Sequence, residues 1–494
     1  MYDQYHVLIQ SALVPTAFVP LVLLAGGRSS KRSAALAIIP LIYSTALLVY
    51  ANITAFGGKL IARYSWAPPF TDLVLLLDGI SGPVALAIAL LSTFVCAYSA
   101  WYMEGRPGVR YYFALLLMYA SGMIGTVLSA HLIAFFLFFE YMLLPSWALI
   151  GVWGTGRKEL IALKYFLFTE AGALLFLAGM AATYSMTGTL NLLEISSRVK
   201  GVSVSALVPV AAAMLVGLFV KMAIVPLHTW LPDAHAEAPT PISALLSPAM
   251  IGIGGYASIR VLYQMFPQLA LTRNFTTALM ALAVVTMAYG GLMALAQTDI
   301  KRLLAYSSIS QMGYMLLGIA SATTTGLVGA DVIYVSHALA KAPLFMLAGV
   351  LAHAVGTRDI RKMRGLAKRM PLTATCALAS FLCLSGVPPL IGFWGELLVF
   401  LGSIYSSLMY SVDLVRLALA CVAIVLSVLT AAYGLWTIKR IFYGELTKEL
   451  AEVREEPRWV LALIFALIVL QVLLGIYPTP LIAAITSGAR LLGA

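Results

Sequence analysis

The chain has 494 residues, 62% of them hydrophobic and only 10% charged, which excludes a soluble globular domain and marks a polytopic membrane protein. Its net charge of +11 raises nucleic acid as a partner, but the basic residues fall in short loops between apolar runs and form no continuous basic face, which argues against it. Four cysteines, Cys96, Cys376, Cys383 and Cys421, are scattered through apolar segments without CxxC spacing and read as small buried hydrophobes.

A helix needs roughly 20 apolar residues to cross a bilayer. About fourteen such runs follow one another, at 6–26, 33–54, 79–102, 111–129, 130–152, 160–184, 206–231, 241–264, 276–297, 301–320, 326–354, 373–404, 412–437 and 457–476. The first lacks a basic leader, Asp3 being its only charged neighbour, so no cleavable signal peptide is expected. The intervening stretches leave no room for a soluble domain, and the runs are continuous rather than alternating, which disfavours membrane strands. The expected fold is therefore all-α, with about fourteen transmembrane helices and membrane lipid around them. With the N-terminus outside the cell membrane, inside loops carry 20 basic residues, such as Arg28, Arg106, Arg157, Lys301 and Arg358, against 7 in outside loops, Arg260 among them.

Two apolar runs are interrupted by prolines near an ionisable residue: Val225-Pro226-Leu227 beside Lys221, and Val387-Pro388-Pro389 before Glu396. Each break comes late in a group of five helices, and an odd number means that a second copy is inverted. The expected division is N-terminal helices at 1–110, a first repeat at 111–264, a second, inverted repeat at 276–440, and a C-terminal loop, helix and tail at 441–494.

A charge at bilayer depth costs at least a few kcal/mol, so each one in a span calls for a partner, water or a function. Glu140 lies mid-span among Phe135, Phe136, Phe138 and Phe139. It is either a neutral acid bonded to a neighbour or the partner of Lys221. Closing such a pair favours both charges and opening it removes that reason, which is a means of passing a proton onward. His337 and Lys341 stand four apart on one helical face, and Pro343 frees the carbonyl four residues before it. They read as a proton relay, against a hydrogen-bonded core histidine. Glu396 follows Gly386-Val-Pro-Pro-Leu-Ile-Gly-Phe-Trp-Gly395, an irregular backbone suited to a terminal proton acceptor. Glu170 and Lys164 are six apart, not on one face, and call for different partners. Lys164 either snorkels or serves the relay. Asp78 reads as a cap or loop anchor, and Arg416 as a local partner of Asp413. His228, Asp233, His235 and Glu237 have the side chains of metal ligands, but Pro232 interrupts them, and loop hydrogen bonding or a proton uptake funnel is the preferred reading. No metal site is expected. No phosphate-cradling loop and no haem or iron–sulfur cysteine pattern appears, so no cofactor is expected in this chain.

The string from Val220 to His235, Val-Lys-Met-Ala-Ile-Val-Pro-Leu-His-Thr-Trp-Leu-Pro-Asp-Ala-His, with Glu237-Ala-Pro239 after it, resembles the signature of the antiporter-like membrane subunits of respiratory complex I. Gln297-Thr-Asp-Ile-Lys-Arg-Leu-Leu-Ala-Tyr-Ser-Ser308 and Met312-Gly-Tyr314 are similar to that family's next motif, and the resemblance covers about residues 75–445. Glu396, where some relatives have lysine, is similar to the NADH-quinone oxidoreductase chain 4, or subunit M, type. The resemblance implies two inverted five-helix repeats, proton movement driven by quinone chemistry elsewhere in the complex, Glu140 and Lys221 as a control pair and Glu396 as the terminal site. It also implies quinone-site and iron–sulfur subunits as partners, with iron–sulfur clusters, flavin and quinone held there. Two positions depart from the family. Gly252 replaces the lysine of the eighth helix, and Gln311 replaces the histidine before Met-Gly. Lys341 then stands in for the central relay, as in cation antiporters and membrane hydrogenases, with water in the room left at Gly252. A subunit of a multisubunit cation/proton antiporter or of a membrane-bound hydrogenase-type complex is the alternative.

Overall fold

The computed structural model describes residues 4–67, 71–409, 412–455 and 457–492; Asp3 lies outside them. Fourteen helices among the described residues are long and apolar enough to cross a membrane. In chain order they are α1 (His6–Ala25), α2 (Ser30–Thr54), α3 (Ser81–Tyr102), α4 (Val109–Leu128), α5 (Leu132–Trp153), α6 (Lys158–Thr187), α7 (Val204–Met222), α8 (Thr240–Met265), α9 (Arg273–Ala296), α10 (Ile300–Ala320), α11 (Thr324–Val355), α12 (Ile391–Leu408), α13 (Leu414–Phe442) and α14 (Arg458–Ile476). They match the fourteen expected runs one for one. Two boundaries move. The run at 206–231 stops as a helix at Met222, and that at 373–404 divides into a short helix, Pro371–Leu384, and α12.

One element departs from an all-α chain. Strands β1 (Lys59–Ala67) and β2 (Thr71–Asp78) form an antiparallel hairpin with Lys59 opposite Asp78. The run Leu73-Val-Leu-Leu-Leu77 does not alternate because both of its faces are covered. Leu75 and Leu77 join the main core, while Val74 and Leu76 pack on Ala130. The Ala130 N–H donates to the Val74 carbonyl at 2.8 Å and ties the hairpin to the end of α4.

The same local geometry occurs twice. His131, the N-cap of α5, bridges Asn191, the N-cap of the short helix Leu192–Arg198. Asp299, the N-cap of α10, bridges Asp359, the cap of the next 3-10 turn, in the same antiparallel fashion. After α7 the chain turns through Ala223 at φ 57°, with the Ile224 N–H on the Phe219 carbonyl and a cis bond before Pro226. After Leu384 it turns through Gly386 at φ 65°, with the Val387 N–H on the Leu382 carbonyl and a cis bond before Pro389. Close helix approach recurs too: a Cβ on Gly122 would sit 2.7 Å from the Met142 nitrogen, and one on Gly290 2.4 Å from the Ser310 nitrogen.

The longest helix, α11, has 32 residues and is buried along most of its length. At 1.5 Å per residue it runs about 48 Å, longer than a bilayer core of about 30 Å, so it crosses tilted or bent. It packs against α3, α8, α10, α12 and α14. It carries Asp331, His337 and Lys341, which puts those groups at the centre of the bundle. Pro343 leaves the helix unbroken, and the carbonyl that it frees, Leu339 O, accepts from Gln471 Nε2 of α14 at 3.0 Å. Cys96, Cys376 and Cys383 are buried as expected, whereas Cys421 is exposed on the outer face of α13.

Candidate functional site

The first group of charges, a buried lysine with two half-buried acids, lies between α5, α6 and α7. Lys221 is in the last turn of α7 and 1% exposed. The carbonyls released where that helix ends are taken up again: Val220 O accepts from Trp230 Nε1 at 2.9 Å and from the Ala223 N–H at 3.2 Å. The Lys221 ammonium has no hydrogen-bond partner among the described residues. It lies 4.8 Å from the Phe139 ring centre and 5.9 Å from that of Tyr165, within range of cation–π attraction. Glu140 Oε1 also lacks a partner among the described residues. Glu140 and Lys221 act on each other electrostatically, and Glu170 acts on both. The expected Glu140–Lys221 pair is thus a through-space pair with a second acid beside it, not a hydrogen-bonded one, because aromatic rings surround the ammonium.

Lys164 has another partner, as its spacing from Glu170 requires. It donates to Asp233 at 2.7 Å and to the Thr229 carbonyl at 2.8 Å, and Arg302 holds the other oxygen of Asp233. The four side chains with metal-ligand chemistry point apart. Asp233 is held by these cations, Glu237 accepts from Thr155 at 2.9 Å, His228 meets the Tyr289 ring edge-on at 4.6 Å, and His235 stacks on Phe345 at 5.1 Å.

The second group runs along α10, α11 and α13. Lys341, fully buried, donates to Ser307 Oγ at 2.6 Å and to the Leu304 carbonyl at 3.0 Å. Ser307 donates to the Tyr433 hydroxyl at 2.7 Å. Tyr433 is hydrogen-bonded with Thr430 and Gln311, and Thr430 pairs with the Tyr314 hydroxyl at 3.2 Å. Glu396 acts electrostatically on both tyrosines. A file of hydroxyl groups therefore leads from Lys341 toward Glu396. The Glu396 carboxyl closes over Gly386, where a Cβ would sit 2.5 Å from Oε2. Gln311 also donates to the Leu384 carbonyl at 3.2 Å, at the second helix break. Both ring nitrogens of His337 lack partners among the described residues, and Lys341 and His235 act on it. Lys301 acts in turn on His235 and donates to the Ala238 carbonyl.

Three expectations are corrected. There is no room for water at Gly252: a Cβ there would sit 2.3 Å from the Tyr334 ring, whose hydroxyl is anchored to the Ala249 carbonyl at 2.9 Å. Arg416 does not pair with the Asp413 carboxylate through its side chain. Asp413 takes Arg273 at 2.7 Å, and the guanidinium of Arg416 is buried on Thr276 at 2.8 Å and the Ser321 carbonyl at 3.0 Å. Arg260 is not a loop residue; it lies inside α8 and clamps Asp78 with two hydrogen bonds of 2.7 and 2.8 Å. Asp78 still caps the start of α3, accepting from the Ser81 N–H at 2.9 Å, so its anchoring role holds with a cation added. Sequence reasoning passes over Asp331, an acid in the same apolar run as His337 and open to the criterion that selects Glu140.

The central part of the chain, residues 129–427, matches the family described as NADH:quinone oxidoreductase/Mrp antiporter, TM, and residues 70–113 match the complex I chain 5 N-terminus family. NAD(P)H-quinone oxidoreductase chain 4 1 of Synechococcus elongatus is 37% identical over 88% of this chain and 81% of its own length. NADH-quinone oxidoreductase subunit M of Rickettsia prowazekii is 32% identical over 91% of this chain and 89% of its own. A chain in the structure of respiratory complex I from Thermus thermophilus with bound NADH superposes with a TM-score of 0.86 at 27% identity, covering 99% of this chain and 100% of that one. The fourteen spans, the buried acids and lysines and these matches together place the chain in the family of antiporter-like membrane subunits of NADH:quinone oxidoreductase and Mrp antiporters.

Proposed function

We propose that this chain is the proton-translocating subunit, of the chain 4 or M type, in a complex I-like quinone oxidoreductase of the cell membrane. The observation that carries the reading is the buried polar file of Lys341, Ser307, Tyr433, Thr430 and Tyr314, which runs toward Glu396, whose charge acts on both tyrosines. Hydroxyl groups both donate and accept, so a file of them passes protons without moving side chains far. Glu140, Lys221 and Glu170 form the charge cluster that sets the state of the first half, and His337 and Lys341 relay to the second. His228 and Lys164 sit beside the segment that follows the broken helix, as accessory groups. Electron transfer, with its flavin, iron–sulfur clusters and quinone, takes place in partner subunits, and this chain does no redox chemistry.

Residues 111–264 and 276–440 are the two repeats, and the N-terminus faces outside. The twice-built bridge and turn support the repeat, and five spans in each copy, an odd number, support inversion.

Gentle solubilisation, affinity purification of this chain and mass spectrometry of its partners test the assignment. Quinone-site and iron–sulfur subunits are expected; nickel-site subunits, or antiporter subunits alone, would contradict it. In the same complex, Lys341→Ala removes the head of the file, and proton movement is expected to fall about tenfold or more. Full transport in that variant would show that the file is not the path.

A further inference from the structure

Asp331 lies on α11 six residues before His337, fully buried, and neither carboxyl oxygen has a hydrogen-bond partner among the described residues. The charged and titratable groups that act on it are Arg260 and Tyr256 on α8, Asp78 at the end of β2 and Tyr334 on its own helix. Arg260 is the cation of this group, and in this state it faces Asp78. Asp78 does not depend on Arg260 alone, since the Ile80 and Ser81 N–H groups donate to it at 3.0 and 2.9 Å. Arg260 in turn has five donors on a long side chain, held also by Tyr256 at 3.0 Å and Gln264 at 3.0 Å. Asp78 and Gln264 both line a cavity of about 210 Å³ beside the hairpin, together with Lys59, Ser196 and Tyr263.

We infer that Asp331 is a proton-release group at the hairpin end of the bundle and that Arg260 is its movable counter-charge. With Arg260 on Asp78, Asp331 carries a proton, since a buried carboxylate without a partner is costly. When Arg260 swings toward Asp331, the carboxyl O–H bond breaks, the proton passes to water in the cavity beside Asp78, and the guanidinium neutralises the carboxylate left behind. Asp78 keeps its backbone donors in the meantime. This inference rests on the proton-translocating reading above and adds to it a place and a residue for release.

The complex, purified with its partners and reconstituted in liposomes, is compared as wild type, Asp331→Asn and Asp331→Glu. Asp331→Asn keeps shape but cannot titrate. Its proton movement is expected to fall about tenfold or more, with Asp331→Glu restoring much of it. Infrared difference spectra between neutral and alkaline pH are expected to show a carboxyl C=O band that the wild type loses as the pH rises, absent in Asp331→Asn and shifted in Arg260→Lys. Proton movement in Asp331→Asn within about twofold of wild type would overturn the inference, as would a band that neither substitution changes. If Asp331→Asn fails to assemble, the response of the band to Arg260→Lys decides. If the wild-type complex moves no protons at all, the functional reading fails, and the infrared band still decides whether Asp331 titrates under the control of Arg260.

Discussion

Lys221→Met is expected to abolish proton movement, by about a hundredfold or more, while leaving assembly of the complex intact. The ammonium is 1% exposed, without a hydrogen bond among the described residues, and faces the rings of Phe139 and Tyr165. A group held this way contributes little to folding. Removing its charge relieves the cost of burying it, and methionine fills nearly the same volume against aromatic rings. What is lost is the cation that Glu140 and Glu170 share. A pH-sensitive dye in liposomes reports the proton movement, and native gel electrophoresis reports assembly. A variant that assembles and pumps as the wild type would remove Lys221 from the relay.

Asp78→Ala is expected to produce the largest loss of stability. It strips Arg260 of two hydrogen bonds and leaves a buried guanidinium without a carboxylate, which costs about 3–5 kcal/mol. It also removes the cap at the start of α3. Thermal unfolding in detergent measures the loss, and the double variant Asp78→Ala, Arg260→Met is expected to recover much of it, because no charge is then stranded. Equal stability of Asp78→Ala and wild type would contradict a structural role for the pair. The pair also has a pH signature. Burial pushes the Asp78 carboxyl up, but Arg260 and the Ser81 and Ile80 N–H groups outweigh it and hold the carboxyl below its ordinary 3.8. Its contribution is therefore fully present above that value and is lost as pH falls through the lower folded value. Between pH 7 and about pH 5 the pair is expected to hold constant stability.

Most of the fold can be read in the chain because span length and loop charge are local properties. Lys221, Glu140, Glu396, His337 and Lys341 stand out for the same reason: a charge in an apolar run needs no structure to be noticed. Their partners are another matter. Ser307, Thr430 and Tyr433 are ordinary residues until folding places them in file, and nothing local distinguishes Ser307 from Ser308. Arg260 counts among the outside charges because it lies near the end of its apolar run, yet the pairing with Asp78, 182 residues away, holds it inside the bundle. Gly252 suggests room where there is none, because the filling ring belongs to Tyr334 on another helix. The hairpin escapes for a similar reason: its second strand is covered on both faces, so the alternation that marks a half-buried strand is missing.

The most direct test of proton translocation is the proton yield of the purified complex in liposomes, driven by the electron donor that its co-purified partners accept, for wild type and Glu140→Gln. The expected result is a pH gradient in the wild type that an uncoupler collapses and that Glu140→Gln loses while electron transfer continues. Equal gradients in the two complexes, or electron transfer in the wild type that builds no pH gradient, would contradict the account.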